Sequence, residues 1–174
     1  MEPIVHYVLP LAALMILGVK PRKAATLAIL GVIPDIDALL LIHRSLSHSI
    51  VIMGLIIAPL LVYAKYRRPD LQNTLILAFL VLASHPILDL ESLTPIFWPL
   101  LPYSISLKLS LNGVMQEGLS LRPSISMNSQ PTIFTKASGF DYPLFTQEGL
   151  LISLILLAPI IYNQIKKRID PTNP

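Results

Sequence analysis

The sequence contains no cysteine, and charged side chains make up only 13% of its 174 residues. The absence of cysteine excludes disulfides, thiolate metal ligands and a cysteine nucleophile. Soluble domains carry about 25% charged residues, so this shortage of charge, beside 53% hydrophobic residues, indicates an integral membrane protein. The formal net charge of +3 comes from short clusters instead of an even basic coat, so we expect no nucleic-acid partner.

Five apolar segments predict an all-α membrane protein with about five transmembrane helices and a small β-containing insertion. The first and third are short for a straight span of roughly 17–25 residues, which is acceptable where a helix ends in a protein-lined polar cavity. The alternative is a soluble helical bundle, which the scarcity of charge disfavours. The segments lie at residues 4–19, 24–42, 50–64, 71–90 and 150–165.

Basic clusters between the segments predict how the chain threads the membrane. They lie at residues 20–23, 65–68 and 166–168, and clustered Lys and Arg mark the cytoplasmic face. One threading satisfies all three clusters, with the N-terminus outside, five crossings and a cytoplasmic C-terminus. The positive charges follow the first apolar segment instead of preceding it, so no secretory signal peptide is expected.

The stretch between the fourth and fifth segments has a different composition, rich in Ser, Pro, Thr and Asn. Apolar and polar residues alternate over 104–111 and then meet Asn112-Gly113, which predicts a β-hairpin or small sheet with a turn at that dipeptide. A disordered loop is the alternative. We therefore divide the chain into a helical membrane core at 1–102, an extracytoplasmic β-rich cap at 103–146, and a last helix with a cytoplasmic basic tail at 147–174.

All four histidines lie in the first half of the chain, each near an aspartate or a predicted membrane boundary. The predicted threading puts them at the outer face together with three aspartates. Imidazole plus carboxylate suits zinc, manganese or iron, and ionisable groups inside a membrane are costly and usually functional. The cluster therefore predicts a membrane-embedded metal site. Its residues are His6, Asp35, Asp37, His43, His48, His85 and Asp89.

Two spacings within this cluster carry chemical information. His85 and Asp89 are four residues apart, so a helix would place them on one face, able to hold a divalent metal from one side. A His–Asp hydrogen bond that ties helices together is the alternative. Asp35 and Asp37 follow Pro34, and a helix break there would let both carboxylates converge on one metal or bridge two. Otherwise Asp35 caps the next helix.

Arg44 stands among two imidazoles and three hydroxyls over residues 43–49. A guanidinium can hold a phosphate or a developing oxyanion through two-pronged hydrogen bonds. The alternatives are a salt bridge to Asp35 or Asp37, or contact with lipid headgroups.

The order of these motifs resembles the YdjM-type family of membrane-bound, predicted metal-dependent hydrolases. The resemblance covers roughly residues 1–102: an early His, Gly31-x-x-Pro34-Asp35-Ile36-Asp37, His43-Arg44-x3-His48-Ser49 and His85-x3-Asp89. That family is distantly similar to zinc-dependent phospholipase C and P1 nuclease, helical multi-zinc enzymes that cut phosphoesters. The resemblance implies metal ligands at His6, Asp35, Asp37, His48, His85 and Asp89. It leaves open whether His43 binds metal, and Asp37, His43 and Arg44 are the catalytic candidates.

The leading hypothesis is a membrane-bound hydrolase in which two or more divalent ions, zinc first and manganese second, activate a water against a phosphoester. A site at headgroup depth favours a lipid or lipid-linked phosphate as substrate, with membrane lipid as the partner. The rival is a divalent-cation transporter or metal-binding membrane protein without catalysis. Transporters usually place their sites near the midplane and often carry inverted repeats, whereas these residues cluster toward one face and no repeat is visible. A structural His/Asp network is the third hypothesis, and the oligomeric state is left open.

Overall fold

The computed structural model describes residues 2–42, 44–115, 119–136 and 146–169. Within these ranges the chain forms five α-helices and one two-stranded sheet. Three of the helices begin with proline, at Pro3, Pro21 and Pro69, where the missing N–H costs no hydrogen bond. The elements are α1 (Pro3–Ile16), α2 (Pro21–Ala28), α3 (Ile50–Arg67), α4 (Pro69–Leu88), β1 (Tyr103–Met115), β2 (Leu119–Pro131) and α5 (Gln147–Ile169).

Helices α3 and α4 form a hairpin joined by Arg68 alone, and they pack against each other along their length. Within the described ranges, these are the two helices whose length and apolar composition would allow them to cross a membrane, the second counted through Glu91. Helix α1 and the first part of α5 are apolar but shorter. The predicted count of five helices is confirmed, while two of them are long and apolar enough to span a membrane.

The second predicted span, over residues 24–42, is wrong as a single helix. Helix α2 ends at Ala28, and the chain continues through two 3-10 helices, Ile29–Gly31 and Ile33–Leu40. The predicted break near Pro34 is confirmed. Because proline has no N–H to offer and its ring crowds the preceding turn, the backbone here closes tighter bonds, such as Asp35 N to Val32 O at 3.1 Å.

A small apolar core holds α1, α2 and α4 together. It is built from Leu14, Ala24, Leu27, Ala78 and Val81, all less than 9% exposed. The alanines allow the helix backbones to approach closely, and burial of the larger side chains stabilises the contact. This packing fixes the start of α1 beside the end of α4.

Helix α5 returns to the start of the chain. The Glu2 carboxylate accepts hydrogen bonds from the Thr146 backbone N–H at 2.7 Å and from the Thr146 hydroxyl. The Thr146 hydroxyl oxygen in turn accepts the Gly149 N–H at 3.3 Å, which satisfies one of the open donors at the start of α5. Glu2 therefore links the first turns of α1 and α5.

The predicted hairpin is confirmed, but its predicted turn is wrong, because Asn112 and Gly113 lie inside β1. The antiparallel register pairs Leu109 with Ile125. A two-residue turn at Asn112-Gly113 would have paired Leu109 with Gln116, apolar against polar. Successive side chains of a strand point to opposite faces, so the register decides which residues of the two strands lie opposite each other. The observed register places apolar residues opposite apolar residues.

The hairpin leaves and rejoins the helical core at one place. Thr132 N–H donates to the Pro102 carbonyl at 2.9 Å, and the Ser104 and Thr132 hydroxyls lie 3.1 Å apart. Thr94 and Ile105 exchange two backbone hydrogen bonds of 2.9 Å. Thr94 also donates its hydroxyl to the Asp89 carbonyl at 2.9 Å, so the base of the hairpin is tied to the end of α4.

Candidate metal centre

Four separate elements bring their polar residues to one buried point. They are the start of α1, the 3-10 helix Ile33–Leu40, the short 3-10 helix Leu46–His48, and the end of α4. Three imidazoles and one carboxylate there are fully buried, which is rare for such groups unless they pair or bind a metal. These residues are His6, His48, His85 and Asp89.

Four donor atoms form the centre of this point. One each from Asp35, His48, His85 and Asp89 lie within 4.8 Å of one another. The Nε2 atoms of His48 and His85 are 3.1 Å apart, and His85 Nε2 lies 3.4 Å from Asp35 Oδ1. The Asp89 Oδ2 atom is 3.6 Å from His48 Nε2 and 4.0 Å from His85 Nε2.

These separations fit a single divalent cation. Zinc lies about 2.0–2.2 Å from nitrogen and oxygen ligands, which places two donors of a tetrahedral site about 3.3–3.5 Å apart. The observed donor separations begin at 3.1 Å and most exceed that value, so the side chains would have to draw together around a bound ion. We call Asp35, His48, His85 and Asp89 the donor group.

The Asp35 carboxylate gives the strongest sign that this group is built for a cation. Both of its oxygens are buried, and within the part of the chain that the structure describes neither has a hydrogen-bond partner. A buried carboxylate without hydrogen bonds is costly. A cation among the donor group would compensate Asp35 and Asp89 together.

The orientation of His85 is set by Gly31, whose role the sequence analysis did not foresee. His85 Nδ1 lies 2.6 Å from the Gly31 carbonyl oxygen. A carbonyl can only accept, so Nδ1 carries the proton and Nε2 presents its lone pair to the donor group. Such an outer hydrogen bond is the usual way of fixing a metal-binding imidazole.

Glycine is required at position 31 by close packing. A Cβ atom there would overlap the backbone carbonyl of His6 and touch the Pro10 side chain. The glycine in the Gly31-x-x-Pro34 motif was the available signal, since a glycine outside a turn often marks a close backbone approach.

His48 lies between the two aspartates of the Pro34-Asp35-Ile36-Asp37 motif. Its Nε2 faces Asp35 Oδ1 at 3.9 Å, and its Nδ1 faces Asp37 Oδ2 at 3.3 Å. The aspartates therefore sit on opposite edges of one imidazole. Burial favours the neutral imidazole, but hydrogen bonds and charge from Asp37 and Asp89 outweigh it and raise the pKa of His48 above its usual range.

Asp37 is itself held in place from the 45–47 segment. Its Oδ2 accepts the Ser45 backbone N–H at 2.8 Å and the Ser47 hydroxyl at 2.7 Å. The Ser47 oxygen also lies 3.1 Å from His48 Nδ1. Asp37 and Ser47 thus orient the outer edge of His48.

His6 and Arg44 surround Asp89. His6 Nε2 lies 3.2 Å from Asp89 Oδ1, and the His6 ring stacks on His85 with centroids 3.8 Å apart. Arg44 Nε lies 3.5 Å from Asp89 Oδ2, an ion pair that the sequence had not suggested. Of the predicted site residues, His43 lies outside the described part of the chain, and the others gather here.

Substitution of Ser47 tests this outer arrangement. We expect Ser47→Ala to weaken zinc binding about 10–100-fold, because partners that orient a liganding imidazole typically contribute that much. Ser110→Ala is the matched control, since the exposed Ser110 hydroxyl bonds Ser124 on the hairpin, and this variant should bind zinc as the wild type does. Competition with a fluorescent zinc chelator gives both affinities, and equal losses in the two variants would contradict the role assigned to Ser47.

Comparison with known protein families identifies the family of this chain. The family model described as YdjM inner membrane protein matches residues 1–162. The chain belongs to the YdjM family. Neither a curated protein nor a solved structure matches it.

Membership of the YdjM family extends the resemblance noted from the sequence motifs. The match runs past the motif-bearing residues, through the hairpin and into α5. All the quoted motifs of this YdjM protein whose residues the structure describes converge on the donor group or its immediate neighbours. The family description also agrees with the two candidate spans, α3 and α4.

Proposed function

We propose that this YdjM protein is a membrane-bound, metal-dependent hydrolase that cleaves a phosphoester of a lipid or lipid-linked phosphate. The observation that carries the proposal is the donor group, in which the two buried Asp35 oxygens accept no hydrogen bond among the described residues. Zinc is the first candidate, because two imidazoles and two carboxylates within a compact space suit it. A divalent cation held there would supply an acidified water and polarise a phosphoryl oxygen.

Each neighbouring side chain has a defined task in this proposal. His85, fixed by Gly31, and His48, fixed by Asp37, present Nε2 to the cation. Arg44 Nε pairs with Asp89, so the terminal guanidinium nitrogens of Arg44 would donate hydrogen bonds to a phosphate. Its side chain is 25% exposed while the donor group is almost wholly buried, which gives it contact with both the site and the surroundings.

An apolar cavity beside the site supports a lipid substrate. It has a volume of about 270 Å³ and lies against Pro34 and Ser47, the neighbours of Asp35 and His48. The rest of its lining is aliphatic: Leu30, Ile33, Met53, Ile56, Ile57 and Leu82. An acyl or prenyl chain in this cavity would leave its phosphate near the donor group. By the positive-inside rule we place the cavity and the donor group on the extracytoplasmic side.

The proposal is tested by measuring bound metal and activity on the same samples. Wild type, His85→Ala and Asp70→Asn would be purified in detergent and analysed by elemental mass spectrometry. They would then be incubated with phosphatidylglycerol or phosphatidic acid vesicles and followed by ³¹P NMR. Asp70 is an exposed residue paired with Arg68, so its variant controls for the loss of a carboxylate elsewhere. We expect near-stoichiometric zinc or manganese and phosphoester cleavage in wild type and Asp70→Asn, with both lost in His85→Ala.

Two other outcomes point to the rival functions. Bound metal with uptake of zinc into sealed vesicles, and no cleavage, would favour a divalent-cation transporter. A metal-free wild type that remains folded would reduce the donor group to a structural hydrogen-bond network.

A further inference from the structure

The β-hairpin has one apolar face and one polar face. Its register places Leu107 opposite Met127 and Leu109 opposite Ile125, and Leu111 and Leu121 lie on the same face because successive side chains alternate. These six side chains are between 37% and 73% exposed. The helical core therefore leaves this face uncovered.

The opposite face is polar and basic. Lys108 and Arg122 lie on it with serines and asparagines, and the two strands contain no Asp or Glu. This face borders a cavity of about 450 Å³ together with Glu91 and Ser92 at the end of α4. Near its base the polar face borders this cavity, and farther along the strands its side chains, Lys108 and Arg122 among them, are exposed.

We propose that the apolar face of the hairpin lies in the lipid surface, at the boundary between headgroups and acyl chains of the membrane that holds the helices. The strands' charge of +2 from Lys108 and Arg122 complements anionic headgroups, and long basic side chains at this depth can reach them. A hairpin anchored in this way buries its apolar face without a partner protein.

The surroundings of the hairpin favour lipid over other occupants. Phe97, Leu100 and Tyr103 are exposed just before β1, and Trp98 packs edge-on against Phe134 just after β2, with centroids 5.6 Å apart. Aromatic residues of this kind are enriched at membrane interfaces. The apolar face is therefore continuous with an apolar and aromatic base.

The size of the face argues against a second copy of the chain as its cover. The apolar side chains run from the Leu107–Met127 pair to the Gly113–Leu121 pair, which is about 23 Å of strand, and two strands about 10 Å wide give a face of about 230 Å². Stable protein–protein interfaces bury about 800 Å² per partner. The face is therefore too small to hold a dimer alone.

The absence of cysteine in the native chain allows a direct depth measurement. Single-cysteine variants Leu109→Cys and Ile125→Cys report on the apolar face. Ser110→Cys and Ser124→Cys, one residue away on each strand and paired with each other, are the matched controls on the polar face. Each full-length variant would be labelled with an environment-sensitive fluorophore and reconstituted into 3:1 phosphatidylethanolamine–phosphatidylglycerol vesicles.

We expect a nitroxide on the lipid acyl chain to quench the labels at 109 and 125 at least twofold more than those at 110 and 124. A water-soluble quencher should show the reverse order. Equal quenching of the two faces would overturn the proposal. Protection of 109 and 125 from both quenchers would also overturn it, because a protein surface would then cover the face.

Discussion

Gly31→Ala is expected to lower the free energy of unfolding by about 1–3 kcal/mol, the usual cost of overpacking a filled site. The added Cβ would overlap the His6 carbonyl, so α1 and the segment carrying Gly31 would have to move apart. The same movement would shift the carbonyl that fixes His85. We therefore expect zinc affinity to fall together with stability.

The change can be followed through the fluorescence of Trp98, the single tryptophan, during heating in detergent. For a chain of this size 1 kcal/mol corresponds to about 2–4 °C in the midpoint. Gly54→Ala is the matched control: Gly54 is inside α3, and its nearest neighbour, Phe79, is 3.9 Å from an added Cβ. Alanine there should leave the midpoint unchanged or raise it, because alanine favours helix over glycine. Equal destabilisation by both variants would contradict the tight contact at Gly31.

Asp35→Asn is expected to change stability in opposite directions with and without metal. In a metal-free sample, removing the charge of a buried carboxylate that lacks hydrogen-bond partners should stabilise the fold by about 1–3 kcal/mol. With zinc at 100 times its dissociation constant, the wild type should gain about 2.7 kcal/mol. The variant should lose most of that gain, since an amide is a poor substitute for a carboxylate ligand.

The measurement is the thermal midpoint of both proteins, in excess zinc and in excess chelator. Asp70→Asn serves as the control, because Asp70 is 60% exposed and an exposed ion pair contributes about 0–1 kcal/mol. If Asp35→Asn lowered the midpoint in chelator, the Asp35 carboxylate would belong to a stabilising polar network and not to a cation site.

Features governed by local chemistry were predictable from the sequence. Pro34 marks the start of a new helical segment because a proline fits the first turn, where its missing N–H costs no hydrogen bond. His85 and Asp89 reached the same site because a helix repeats every 3.6 residues. The sorting of the basic clusters and the histidines to two sides of a membrane stays a prediction from the positions of the charges along the chain.

Features governed by packing between distant segments were not predictable. The bond from His85 to Gly31 joins residues 54 positions apart and depends on how α4 meets the chain after α2. Asp35 and Asp37 were expected to converge or diverge according to the local helix, and the 3-10 geometry instead placed them on opposite edges of His48. The hairpin turn was misplaced because a strong local signal, Asn112-Gly113, lost to the register that keeps apolar partners opposite each other.

The point at which the hairpin leaves and rejoins the core has an evolutionary consequence. Because Pro102 and Thr132 are joined by one backbone hydrogen bond, the distance between departure and return does not depend on what lies between them. A segment of another length or composition could replace the hairpin at this junction while the residues before it stayed in place. The donor group can thus remain constant while the part of the molecule that meets its surroundings diversifies.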